Sequence, residues 1–279
     1  PTALTISNIT SSGADANWLA GGTESAWNFE YGPSGYVQGA GTYAGGLSVT
    51  NYNMSGLTAN TSYDVYVQAD CGTDSSIWVG PIPFTTLIQG AIGVNCTSGS
   101  AGFAFDDDVE TNTGWTGDLG TGTTQGNWNF DTGGTGSTGT GPSAAHSGTG
   151  YIYYEASGPA PGDSASIISP AIDLTAAIGN AELSFWMHAY GADMGDLHVG
   201  VSSSAAGPFS NVFSYSGQLQ TLDTDPWTNV GVDLTSYVGQ TVYLEFIAVR
   251  GAQFTSDVAI DLIQVESCFS CVAPSALTA

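Results

Sequence analysis

At 279 residues the chain has room for two domains, each able to bury its own core. Its 39 glycines, set among many Ser, Thr, Asn and Asp, favour turns and strands over helices. Twenty-five acidic residues face one base, Arg250, for a formal charge of −24, a field that repels phosphate backbones and anionic lipid, so nucleic acid is not expected as a partner, membrane surfaces are poor ones, and no direct membrane insertion is expected. The same field attracts divalent cations. No run of eighteen apolar residues is present to span a bilayer. With no initiator Met and no signal peptide, the expectation is a mature or excised piece of a longer secreted product, cell-surface associated.

Along the chain, residues 1–86 alternate apolar and polar positions in short runs parted by Gly, Asn and Pro. Trp27, Phe29 and Tyr31 share one face at period two, as do Tyr63, Val65 and Val67. Seven short strands at this spacing read as a β-sandwich. The segment LTANTSYDVYVQADCG (57–72) then resembles the fibronectin type III pattern of a Leu, a turn and a Tyr-x-Val-x-Val strand. That resemblance implies that Tyr63 is the family's tyrosine corner and Trp18 its early core Trp; Ala59 departs from the usual Pro. GPIPFTT (80–86) is similar to the fold's last strand.

Residues 87–102 read as a linker, and 103–268 as a second domain. Four stretches, DDVETNTGW (107–115), GTGPSAAHSGTGYIYYEAS (139–157), LSFWMHAYGADMGDLHVGV (183–201) and FTSDVAIDLIQV (254–265), resemble a MAM domain in order and spacing. The version they resemble is that of tandem-repeat secreted or cell-surface proteins of Bacteroidota-like bacteria. Ala145 and Leu262 stand where animal members usually have Asp. The resemblance implies an all-β chain: a fibronectin type III-like seven-stranded sandwich followed by a MAM-like jelly-roll β-sandwich. The residues agree, since Leu183, Phe185 and Met187 point one way and Ser184, Trp186 and His188 the other, while Val242, Leu244, Phe246 and Ala248 form an apolar face. The Gly- and Thr-rich stretch 132–143 reads as a surface loop.

The hexapeptide PTALTI at residue 1 nearly recurs as PSALTA at 274, so residues 269–279 read as a linker and the start of a next repeat, with a period of 274 − 1 = 273 residues. Four cysteines allow three pairings, and sequence alone does not choose among them. The jelly-roll resemblance implies Cys96–Cys268, because that fold's first and last strands lie together. The sandwich resemblance places Cys71 at the pole where the first strand begins, so Cys71 and Cys271 are expected to form inter-repeat disulfides. The rival reading, a redox or metal motif at Cys268-x-x-Cys271, has no second pair to support it.

Carboxylates cluster at 106–110 and on the last predicted strand. Hard oxygen ligands favour Ca2+, and jelly rolls of the resembled kind often carry a structural one. By alternation the expected ligands are Asp108, Glu110, Asp257 and Asp261; the competing reading is an acidic edge that blocks strand-to-strand association. His146 and Ser164 sit too close in sequence for a chymotrypsin-like pair, and His188 and His198, on adjacent predicted strands, lack a third ligand. Arg250 is expected to pair with a carboxylate, and Trp78, Trp115 and Trp227 either pack or stack on sugars. Four Asn-x-Ser/Thr sequons start at Asn8, Asn53, Asn60 and Asn95, and Asp163-Ser164-Ala165 resembles a bacterial O-glycosylation motif, making Ser164 the best glycosylation candidate.

No HExxH, GxSxG or phosphate-cradling loop is present, so no enzyme is expected. The expectation is a non-catalytic structural or adhesive repeat of an extracellular fibre or giant surface adhesin. Its partners would be neighbouring copies and glycans or surface ligands. The alternative is a carbohydrate-binding module pair of a secreted hydrolase.

Overall fold

The period-two alternation of the first third becomes seven strands: β1 (Thr2–Ser7), β2 (Gly13–Leu19), β3 (Trp27–Pro33), β4 (Thr42–Leu47), β5 (Asn51–Ser55), β6 (Ser62–Ala69) and β7 (Val79–Thr85). The computed structural model describes residues 1–121 and 123–270, and the chain divides into two units after Gln89. In the first unit the strands pair antiparallel in two sheets, β1-β2-β5 and β4-β3-β6-β7. Between the sheets lie Ala14, Ala16 and Trp18 of β2, Phe29 of β3, and Val65 and Val67 of β6, all buried. Trp18 stacks on Phe29 with ring centroids 5.8 Å apart. Thr58 donates its N–H to the Tyr63 hydroxyl at 3.0 Å, the corner that the resemblance implied. Glu30 is buried yet satisfied, its Oε1 accepting the N–H groups of Gly39 at 2.7 Å and Gly41 at 2.9 Å.

The second unit adds twelve strands. They are β8 (Ser100–Asp107), β9 (Thr116–Gly117), β10 (Trp128–Thr132), β11 (Gly150–Tyr154), β12 (Ser164–Ile168), β13 (Ile172–Asp173), β14 (Ala177–Ala189), β15 (Asp196–Ser202), β16 (Ser210–Ser216), β17 (Thr228–Asp233), β18 (Thr241–Val249) and β19 (Val258–Phe269). One sheet runs β10-β11-β19-β14-β17, with β8 also on β19; the other runs β16-β15-β18-β12-β9, with β13 also on β18. The two apolar faces read from sequence meet in its core: Leu183, Phe185 and Met187 are fully buried, as are Val242, Leu244, Phe246 and Ala248. Phe185 meets Phe246 edge-on at 5.3 Å, and Trp115 packs on Phe246 from the other side at 5.9 Å.

The outer face of the β14-containing sheet is also covered, which the sequence did not reveal. Tyr151, Tyr153 and Ala259 form a second small core there, with Ala145 and Trp227 packed over it. The 132–143 stretch is therefore not a simple surface loop: Thr140, Gly141 and Pro142 are buried, and the Thr140 hydroxyl accepts the Asp257 N–H at 2.8 Å. Large rings on an outward face need such a cover to leave water. The span read as a linker is likewise engaged. Ala91 donates to Asn229, Ile92 and Gly93 to the Glu182 carboxylate, and Val94 to Glu266, while β8 already begins at Ser100. Gly231 lets this segment approach, since a Cβ there would lie 2.6 Å from the Ala91 Cα.

Candidate functional site

The acidic residues fall into three environments. β8 ends at Asp107 and Val109 takes a left-handed φ of 49°, so the alternation that put Asp108 beside Glu110 stops there. Asp108 is exposed. Glu110 instead accepts the Thr149 N–H and hydroxyl, each at 2.6 Å. Asp261 accepts the N–H groups of His146 at 2.7 Å and Ser147 at 2.9 Å on Oδ2, and that of Leu262 on Oδ1. Glu110 and Asp261 thus grip successive residues of one loop. Gly148 is required between them: its φ is +59°, and a Cβ would sit 1.7 Å from Glu110 Oε1. Bonds from Thr149 hold the Glu110 carboxyl below its usual range, while burial pushes Asp261 up to about 6.

Asp257 sits apart from that loop. Its Oδ1 accepts the Ala156 N–H at 2.9 Å, and its Oδ2 is buried without a hydrogen-bond partner. Burial pushes this carboxyl up to about 7. Of the four expected ligands, then, Glu110 and Asp261 converge, and Asp108 and Asp257 do not join them. Among the described residues no three His, Cys, Asp or Glu side chains group as a metal would require; main-chain amides meet the converging carboxylates instead. Sequence reasoning also passed over Asp107. It is buried and accepts the Trp115 indole N–H at 2.8 Å, the Val109 N–H and the Thr113 hydroxyl. The signal was the Trp eight residues on, at the end of the same DDVETNTGW stretch.

Cys96 and Cys268 form a disulfide with Cα atoms 5.6 Å apart. Cys71 is a free, exposed thiol. It lines a cleft of about 710 Å3 in the first sandwich together with Pro1, Glu24 and Asp70, so the thiol and residue 1 share one pole of that unit. Cys271 and the Pro274 hexapeptide lie outside the described residues. Ser164 is exposed at the start of β12, after a turn in which the Asp163 carboxylate accepts the Ala160 N–H at 2.7 Å.

Three further expectations are resolved. His188 and His198 lie in opposite sheets, on β14 and β15, and do not meet; His188 is fully buried, and His198 Nδ1 is 2.8 Å from the Ser214 hydroxyl. Arg250 donates from Nε to the Ala156 carbonyl at 2.8 Å, and it has no carboxylate in ion-pair range among the described residues. Trp115 is core, whereas Trp78 and Trp227 are half-buried.

Two antiparallel sandwiches, the second fastened by a disulfide, define a modular protein of the kind built for the oxidising exterior. The model of the MAM domain, meprin/A5/mu, matches residues 104–269. The chain belongs to the MAM domain family. MAM domains are extracellular and typically non-catalytic, and among the described residues no helix is long and apolar enough to cross a membrane. Solved structures similar to part of the chain include a computationally redesigned β-sandwich protein, 24% identical over 31% of this chain and 93% of that one with a TM-score of 0.29. Another is the fn3 domain of human collagen alpha-1(XX) chain, 19% identical over 34% of this chain and 90% of that one with a TM-score of 0.30.

Proposed function

We propose that the chain is a non-catalytic structural or adhesive repeat of a secreted, cell-surface fibre or giant adhesin, joined head to tail to similar repeats. The observation that carries this reading is the exposed Cys71 thiol lining the same cleft as residue 1. A preceding copy whose Cys271 stands three residues before this Pro1 would bring that sulfur to this pole. Peptide mapping of a two-copy protein under non-reducing conditions tests it. The supporting result is a peptide linking Cys271 of the first copy to Cys71 of the second; recovery of both as alkylated thiols removes the reading.

Two additions belong to the same proposal. A structural Ca2+ is supported by the acid-rich composition and by Glu110 and Asp261 meeting at one loop. A melting midpoint that rises by several degrees with Ca2+ over EDTA supports it, and an unchanged midpoint removes it. A glycan on Ser164 is supported by its exposure, and intact mass before and after Ser164→Ala reads it directly. A second reading, a carbohydrate-binding pair of a secreted hydrolase, is favoured by the half-buried Trp78 and Trp227; retention on a polysaccharide column that is lost in Trp78→Ala or Trp227→Ala would support it over the fibre.

A further inference from the structure

Where the cover over the outer face of the β14-containing sheet thins, a cleft of about 270 Å3 opens between the 143–146 loop and the 223–227 segment. Its walls are aromatic. His146 lies flat on Trp186, ring centroids 3.7 Å apart and planes 14° from parallel, and Trp227 stands at 60° to His146. The Trp227 indole N–H is committed to the Ala144 carbonyl at 3.2 Å, and the same ring packs on Tyr151 and on buried His188. The rings are therefore fixed before any ligand arrives.

The rim is acidic. Asp223 is exposed, and its main-chain carbonyl is pinned by the Ser143 N–H at 2.9 Å. Asp225 holds its own turn, its Oδ2 accepting from Thr221 N–H and hydroxyl and from Leu222 N–H. Among the described residues no base is placed to offset these charges: burial pushes the His146 ring below its usual value and so disfavours its charged form, and Arg250 donates to the Ala156 carbonyl. Electron-rich ring faces beside a carboxylate select an organic cation, and an overall charge of −24 draws cations in and turns anions away. The volume suits an ammonium head with its methylene stem rather than an extended chain. This sequence contains no lysine, because its one Lys-or-Arg residue is Arg250.

We propose that this cleft binds the side-chain ammonium of a lysine presented by a partner protein, held against the Trp227 ring and the His146–Trp186 stack and paired with the Asp223 carboxylate. The proposal does not depend on tandem repetition. It is tested by titrating the whole chain with Nα-acetyl-lysine methylamide while following amide and indole proton resonances. The expected result is saturable shifts concentrated at residues 143–146, 186 and 223–227, absent with the neutral norleucine analogue. Asp223→Asn, which leaves the main-chain bond from Ser143 in place, is expected to weaken binding roughly threefold or more, and Trp227→Phe to weaken it again through the smaller ring. Asp173→Asn, on the opposite sheet, controls for general charge and leaves binding unchanged. Equal shifts from norleucine, equal loss in Asp173→Asn and Asp223→Asn, or shifts spread over the acidic surface would each overturn it, as would preferential saturation of the same resonances by a neutral oligosaccharide.

Discussion

Asp257 is the residue whose environment makes the sharpest demand. An unfolded aspartate ionises near its ordinary value of 3.8, whereas in the fold burial raises the carboxyl to about 7. The native state therefore holds the proton more tightly, and stability falls as pH rises from about 4 to 7. His188 acts in the opposite sense. Burial lowers it from 6.5 to about 4, so stability is lost as pH falls through that window. Asp257→Asn keeps an acceptor for Ala156 and replaces the charged form with a neutral one. We expect the variant to match the parent near pH 4, and to be more stable at pH 8 by roughly 2–4 kcal/mol, since each tenfold change in proton affinity is worth about 1.4 kcal/mol. Its stability should then decline on acidification below pH 6.5, exposing the His188 contribution; chemical denaturation across pH reads both. At this scale the sequence showed which acids were present but not which were buried. Asp106, Asp107 and Asp108 are chemically identical neighbours, and only the end of β8 and the left-handed Val109 separate the exposed Asp108 from the buried Asp107.

Strands were legible because burial on a pleat imposes a period of two. The faces read in β14 and β18 are the faces that the core uses, and Phe246, between Phe185 and Trp115, lies at its centre. Phe246→Ala is expected to cost about 3–5 kcal/mol, seen as a lower denaturation midpoint of the second unit. In the first unit, Tyr63→Phe removes the acceptor of the Thr58 N–H, a part-buried bond, at a cost of about 0.5–1.5 kcal/mol. Irregular segments were not legible in the same way. Gly- and Thr-rich composition at 132–143 correctly reports a chain with no regular structure, yet it says nothing of what lies beneath. The burial of Thr140 and Pro142 goes with partners distant in sequence, the Gly141 N–H donating to the Tyr190 carbonyl and the Asp257 N–H to the Thr140 hydroxyl. Residues 91–94 fail for the same reason, since their acceptors, Glu182, Asn229 and Glu266, are distant in sequence.

For the whole chain, the two-sandwich plan and the Cys96–Cys268 pair followed from family resemblance, whereas a four-carboxylate meeting point required positions that no pattern encodes. The disulfide closes 172 residues of sequence, and the chain-entropy model assigns such a loop about 5 kcal/mol. Reduction is expected to lower the calorimetric transition of the second unit and leave that of the first in place. The same bond also changes how the chain bears load. Tension applied through the flanking polypeptide enters the second unit at Cys96, crosses the sulfur atoms and leaves at Cys268, so the jelly roll between them carries none of it. Stretching a single molecule should release the first sandwich while roughly 600 Å of contour length stays hidden, to be surrendered only after a reductant is added. Under such a pull the second unit would resist with a covalent bond and keep its folded surfaces intact while the first sandwich gives way.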